Sequence, residues 1–260
     1  MYGDVRDTEK LLEYVKKADV IFPLAAIVGF PACDRDPFLA DKVNFEHVLN
    51  ITKILSKNQI LISPCTNSGY GSNADGVCTE ESPMNPISIY GKTKCAAEKA
   101  ILENTNGISL RLATLLGTSY RMRLDLLVND FTYKAVNDGY IVLFEKNFRR
   151  NFVHIRDVVR SFIFMMDNYD KLNNNIYNVG LSNANLTKEQ LCLKIKEYVP
   201  YFSIKEDNIR EDPDKRDYIV SNDKIEKTGF KFIYSIDYGI KELINAYKML
   251  KPIANKYGNV

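Results

Sequence analysis

Short apolar runs alternate with amphipathic stretches over the first 117 residues. Residues 7–17 open with Asp7-Thr-Glu-Lys and place Leu11, Leu12 and Val15 on one face, which predicts a capped helix. Residues 19–26 are a continuous apolar run, the pattern of a strand buried in a parallel sheet. After Pro37, the spacing of Phe45, Val48, Leu49, Ile51 and Leu55 predicts a long helix over 37–57. A strand at 59–63, a loop to residue 87, a helix over 89–104 and a strand at 108–114 follow. This alternation predicts an α/β domain with a parallel sheet. After Gly117 the rhythm breaks, and residues 118–150 set Arg121, Arg123, Arg149 and Arg150 among apolar positions. Residues 152–167 read again as strand then helix, and 176–180 as a last short strand. The remainder is helical and loop-rich, with a charged, structure-poor stretch at 205–217. No internal repeat stands out.

Composition narrows the class without choosing a function. The 260 residues are 45% hydrophobic and 26% charged, ordinary for a soluble globular protein with a large core. A net charge of +2, with acidic and basic residues interspersed, implies neither a nucleic-acid partner nor a membrane surface. No apolar stretch has the length of a membrane span and no signal peptide opens the chain, so a cytoplasmic location is expected. Five scattered cysteines without a Cys-x-x-Cys pair fit reduced thiols. With only His47 and His154, far apart, no metal site and no histidine-based triad is expected.

Candidate chemistry concentrates in residues 59–99. An apolar run ends in Thr66, a loop of Asn, Ser and Gly follows, and Tyr90 then stands four residues before Lys94 in an Ala-rich stretch. Four residues is about one helical turn, so the phenol and the ammonium share a helix face. A neighbouring ammonium favours the phenolate and could make a general base of a weak acid. The spacing alone is not diagnostic, because it recurs at Tyr201/Lys205 and Tyr247/Lys251.

Context singles out the first pair. Gly3-Asp-Val-Arg-Asp7, Leu24-Ala-Ala26, Asn44, Thr66 five residues before Gly71, Tyr90/Lys94, Leu110-Arg-Leu-Ala-Thr114 and Arg150-Asn-Phe-Val-His-Ile-Arg-Asp157 run through nearly the whole chain. Together they resemble the extended short-chain dehydrogenase/reductases that act on nucleotide-sugars, the NAD-dependent epimerase/dehydratase group. The wording around Thr66, Arg121 and Arg216 is similar to a branch that includes GDP-heptose 4-dehydrogenases. The resemblance implies a Rossmann-like parallel sheet with a smaller C-terminal substrate-binding lobe. It divides the chain into a partial dinucleotide-binding domain (1–117 and 151–180) and a nucleotide-sugar lobe (118–150 and 181–260).

The implied roles follow residue by residue. Tyr90 is the base that takes a sugar hydroxyl proton as hydride passes to NAD. Lys94 lowers its pKa and binds the nicotinamide ribose, and Thr66 orients the substrate oxygen. Asp4 and Val5 meet the adenine, Leu24, Ala25 and Ala26 line the dinucleotide, and Asn44 stands behind the Tyr/Lys pair. Asn67, Thr114 and Arg123 face the nucleoside-diphosphate sugar, and Arg150 and Arg216 grip its diphosphate with bidentate forks. The residues also allow plainer readings: Thr66 as a loop cap, Asp4 as a helix cap, and Leu24 to Ala26 as core. Arg123 could equally be ion-paired, and Arg150 and Arg216 could pair with Asp157 and Asp217.

Two departures from the family pattern matter. Dehydratases of the group carry acidic residues just after the catalytic Thr, where this chain has Asn67 and Ser68. That favours simple oxidation or epimerisation at C4 over loss of water. The family's Gly-rich turn would precede Gly3, whereas Gly3 and Gly29 are the only glycines before Gly69. An N-terminally truncated fold is therefore expected, short of roughly 50–60 residues or one βαβ unit and more. It would leave the 19–26 strand exposed and the pyrophosphate contacts reduced. The alternative function is then a non-catalytic, nucleotide-sugar-binding or regulatory remnant. Helices 37–57 and 89–104 would pair with a second copy in a homodimer.

Overall fold

The alternating apolar runs do form a parallel sheet. The computed structural model describes residues 3–207 and 216–249, residues 74 and 75 by their backbone alone. It divides into two units of similar size.

The first unit comprises residues 1–71, 80–112 and 160–179. Its four strands, Val20–Ile21, Ile60–Thr66, Ile108–Leu112 and Asn175–Val179, lie parallel in that spatial order. The helix Thr8–Val15 starts where Asp7 accepts the Lys10 amide at 3.2 Å. Its C-terminal end is tied down by Gln59, whose amide donates to the Val15 and Ala18 carbonyls at 2.6 Å each. Val15, Ile21, Val48, Ile51, Leu61, Ala97 and Ile101 pack together as the core.

The 19–26 strand is shorter than its apolar run. Only Val20 and Ile21 pair, with Ile60 and Leu61. Just past the last pair stand Pro23 on one strand and Pro64 on the other, neither with an N–H to give. Leu24, 64% exposed, and Ala25 therefore lie outside the core, which corrects the core reading of that tripeptide.

The long helix runs from Pro37, capped by Asp36, to Ile54, and is interrupted by a π-helical turn at Lys42–Glu46. The helix Ile89–Asn104 is capped by Ser88. Phe45, Val48, Ile51, Ala97 and Ile101 pack into their own unit, while Phe38, Lys92, Lys99 and Glu103 are exposed. The stripes therefore provide no separate argument for a second copy.

The second unit comprises residues 72–79, 113–159 and 180–260. Two of its short parallel pairs lay outside the sequence-based reading: Asn73–Cys78 with Tyr218–Val220, and Tyr140–Leu143 with Ser203–Glu206. Thr114–Leu116, Arg149–His154 and Asn185–Thr187 form a three-stranded sheet. The helices Leu127–Asn137, Lys188–Tyr198 and Ile236–Met249 enclose its core around Phe152, Leu191, Phe202 and Leu243. Most of the charged 205–217 stretch falls outside the described residues. Among the described residues, no helix is long and apolar enough to cross a membrane.

The loop after Thr66 depends on Gly71. Its φ is +71°, and a Cβ there would lie 2.2 Å from the Asn85 carbonyl oxygen. Gly71→Ala should cost about 2–4 kcal/mol, the sum of a left-handed backbone and a clash with backbone that cannot yield. Urea unfolding would measure it, and a loss within the ±0.5 kcal/mol typical of surface changes would show that the turn is dispensable.

Candidate functional site

The three Tyr-x-x-x-Lys spacings separate on sight. Tyr201 precedes the strand Ser203–Glu206, so no helix turn joins it to Lys205. Tyr247 is buried, donates its hydroxyl to the Asn129 carbonyl at 3.0 Å and packs edge-on against Tyr133. Lys251 lies outside the described residues. Among the described residues, Tyr90 and Lys94 alone of these pairs share the start of a helix, one turn apart, Tyr90 partly exposed and Lys94 3% exposed.

Thr66 ends its strand and caps the following 3-10 turn, Asn67–Tyr70, by accepting the Ser68 amide at 3.1 Å. Its hydroxyl also lies 3.0 Å from the Ser68 hydroxyl. The turn sits against the start of the Tyr90 helix: a Cβ on Gly91 would come within 3.5 Å of the Ser68 carbonyl. The Cys65 thiol reaches the Lys94 carbonyl at 3.6 Å. Strand end, turn and helix start thus meet in the first unit with Thr66, Asn67, Tyr90 and Lys94.

Asn44 stands behind this group, fully buried. Its amide donates to Thr93 Oγ1 at 3.2 Å and to the Ile27 carbonyl at 3.0 Å, and its oxygen accepts the Ile27 amide at 2.8 Å. Thr93 lies between Tyr90 and Lys94 in the helix. Asn44 therefore fastens the 26–28 segment to the Tyr/Lys helix with an amide fully occupied by the protein, rather than facing a ligand directly.

The electrostatics of the group are unusual. Burial pulls the Lys94 ammonium below its ordinary value, opposed by the negative potential of Cys65, Cys95 and Glu98. Among the described residues Lys94 has no ion-pair partner. The Asn67 amide is 1% exposed, and neither its nitrogen nor its oxygen has a hydrogen-bond partner. His47, 3% exposed, likewise has both ring nitrogens unsatisfied and rests against the Val43 carbonyl without completing a hydrogen bond. Burial, then the Lys94 charge, pushes its pKa down to about 4.

Other expected ligands are placed as follows. Val5 lines a cavity of about 520 Å³ with Arg6, Lys42, His47 and Asn50. Asp4 does not cap the helix, since Asp7 does; it is exposed and pairs with Arg6 at 2.6 Å. In the second unit, Thr114 stands on a strand opposite Phe152, and Arg123 pairs with Asp125, its Nε 3.1 Å from the carboxylate. Asp217 pairs with Arg149 at 2.9 Å, and the charges of Arg149 and Arg150 both act to lower its pKa. Asp157 accepts the Ile233 and Tyr234 amides at 3.0 and 2.9 Å. Arg150 is 4% exposed and lies over the Tyr218 ring, 5.5 Å from its centroid. Arg216 is partly exposed.

Sequence reasoning missed a buried polar network beside the site. The Arg111 guanidinium pairs with Glu98 at 2.7 Å and meets the Tyr70 hydroxyl at 3.0 Å. Two signals were available: an arginine in the middle of an apolar strand, and a glutamate one helical turn beyond Lys94.

These residues fit an NAD-type cofactor. A buried cation with no ion-pair partner among the described residues, an unsatisfied amide and an exposed apolar Leu24-Ala25 step are groups that a bound dinucleotide would satisfy.

Two expectations follow. Asn67→Ala should leave unfolding stability unchanged or raise it by about 1 kcal/mol, because the buried amide has no partner to lose; a loss above 2 kcal/mol in denaturant would reveal a structural role. For His47, the unfolded chain takes up a proton near 6.5 and the folded chain only near 4. Stability is complete above pH 6.5 and falls as the pH drops toward 4. His47→Phe should flatten that decline in melts recorded between pH 7 and 4.

Residues 1–180 match the model of the NAD dependent epimerase/dehydratase family. The Haloferax volcanii protein called low-salt glycan biosynthesis protein Agl12 is 25% identical over 94% of this chain and 80% of its own. An uncharacterized membrane protein of Methanocaldococcus jannaschii, MJ1061, is 28% identical over 37% of this chain, and the chain spans only 26% of that relative. In fold, the UDP-glucose 4-epimerase of Thermotoga maritima, solved with UDP-glucose, aligns at a TM-score of 0.81 and 23% identity, covering 95% of this chain and 83% of that one. An α/β fold with a Rossmann-type parallel sheet and a family match over more than half its length make this chain a member of the NAD-dependent epimerase/dehydratase family.

Proposed function

We propose that this protein is an oxidoreductase or epimerase that oxidises the C4 hydroxyl of a nucleoside-diphosphate sugar, with Tyr90 as base. The observation that carries the reading is the Lys94 ammonium, buried without an ion-pair partner among the described residues and one helical turn from Tyr90. A cation held in low dielectric stabilises a neighbouring phenolate far more than one in water. NAD, when bound, supplies the hydride acceptor.

The chain's own residues do the rest. Tyr90 takes the hydroxyl proton, and Lys94 balances the phenolate and would hold the nicotinamide ribose. Thr66 orients the reacting oxygen, and the unsatisfied Asn67 amide offers a donor and an acceptor to the sugar. Leu24 and Ala25 would lie along the dinucleotide, with Val5 and the cavity beside it at the adenine end. Arg150, with Arg216, is the fork suited to a diphosphate in the second unit. The absence of a carboxylic acid at Asn67 and Ser68 supports redox chemistry without loss of water. Similarity to a UDP-glucose 4-epimerase supports the substrate class.

The test is NADH formation at 340 nm with NAD and a panel of UDP-, dTDP- and GDP-linked sugars. Tyr90→Phe should lower the rate by about 10²- to 10⁴-fold, the usual worth of a general base, with folding intact. Lys94→Met should act through both rate and cofactor affinity. Turnover undiminished in Tyr90→Phe would refute the assignment.

A further inference from the structure

Arg111 stands in the middle of the strand Ile108–Leu112, where a parallel sheet ordinarily takes apolar residues. Its side chain is 4% exposed, and its fork faces Glu98 at 5%, with contacts of 2.7 Å from one terminal nitrogen and 3.1 Å from Nε. Ser109, two residues earlier on the same strand, donates to the other Glu98 oxygen at 2.7 Å. The remaining Arg111 nitrogen donates to the Tyr70 hydroxyl at 3.0 Å and to the Glu80 carbonyl at 3.2 Å. Tyr70 in turn donates to Asn178 Oδ1 at 2.7 Å, and the Asn178 backbone N–H donates to the Glu80 carboxylate at 2.7 Å.

Glu98 is four residues beyond Lys94 on one helix, and Tyr70 four residues beyond Thr66, at the end of the turn that Thr66 caps. One guanidinium thus touches both segments that carry the proposed chemistry. A well-packed apolar pair often holds a fold as well as a buried ion pair does, so stability alone gives no reason for this one. What a planar fork adds is direction, because each of its nitrogens is satisfied at one angle and one distance.

We propose that Arg111 and Glu98 are positioning residues that set the Tyr90/Lys94 helix turn and the Thr66 turn relative to each other through one strand of the sheet. The inference rests on the catalytic reading above for its consequence in turnover. Its structural content is independent of that reading.

Arg111→Lys keeps the charge and loses the fork. It should lower kcat at least 30-fold while KM for sugar and cofactor stays within threefold. Amide hydrogen exchange should rise together in 66–71 and 89–95, with Thr8–Val15 unchanged. Glu98→Gln, nearly isosteric, is the second probe if the lysine variant does not fold, with the same signature expected at smaller amplitude. The double variant Arg111→Met/Glu98→Leu should recover the melting temperature without recovering kcat. Recovery of both, kcat within threefold in Arg111→Lys, or exchange rising throughout the unit would overturn the inference. If the wild-type protein turns over no nucleotide-sugar, the function proposed above fails, and hydrogen exchange alone decides this one: a joint rise in the two segments sustains it and a rise in neither or only one sinks it.

Discussion

A guanidinium that is 4% exposed must be neutralised where it stands, because an unpaired buried charge costs several kcal/mol. In the first unit that requirement fixes more than a pair. Glu98 must meet Arg111 from the helix Ile89–Asn104, so the helix cannot rotate about its axis or slip by one residue without stranding the charge. Tyr70 must meet it from the turn after Thr66, so the turn cannot open. The small residues at the contacts leave no slack: a Cβ on Gly69 would lie 2.7 Å from the Cys95 sulfur. Packing at that density makes position discrete rather than adjustable.

The other polar groups of this region oppose stability. Asn67 is buried with an unsatisfied amide, His47 is held neutral by burial, and burial likewise disfavours the charged form of Lys94. An interior chosen for stability alone would satisfy or replace all three. Their gathering beside one helix start, next to a network in which each polar group has its partner, separates the two roles. The satisfied groups hold the frame, and the unsatisfied ones are available to a ligand.

How much of this was legible follows from the range of the interactions. The helix Ile89–Asn104 was readable almost to the residue because the Ala-rich pattern is a local signal, and the structure adds the Ser88 cap at its start. The 19–26 strand was overread because apolarity says nothing about donors, and Pro64, which helps end its ladder, lies about forty residues away on its neighbour. That Arg149 meets Asp217 was not legible, because adjacent residues on a strand point to opposite faces and the sequence does not say which face meets Asp217. The Asn73–Cys78 strand has no apolar alternation, and only its distant partner Tyr218–Val220 makes it a strand. The family motifs pointed to Thr66, Tyr90 and Lys94 and included Arg111 without giving it a role, because what Arg111 and Glu98 do lies in a contact between two elements.

The early end of the first strand has a chemical use under the proposed function. In open parallel sheets, ligands bind beyond the carboxyl ends of the strands. Ile21 is the last paired residue of its strand, and the chain then turns out, leaving Leu24 and Ala25 exposed at that end. Such a step would wander if nothing held it, since prolines have removed its ladder. Asn44 supplies the hold by binding both the amide and the carbonyl of Ile27, and the same amide reaches Thr93 in the Tyr90/Lys94 helix. The π-helical turn that carries Asn44, Lys42–Glu46, widens the helix at this place, and such bulges recur where a side chain is re-aimed for function. One buried amide therefore couples an exposed apolar step to the helix of the proposed base. Replacing it with Asp would turn a donor into a second acceptor facing the Ile27 carbonyl, so the coupling depends on the amide and not on size.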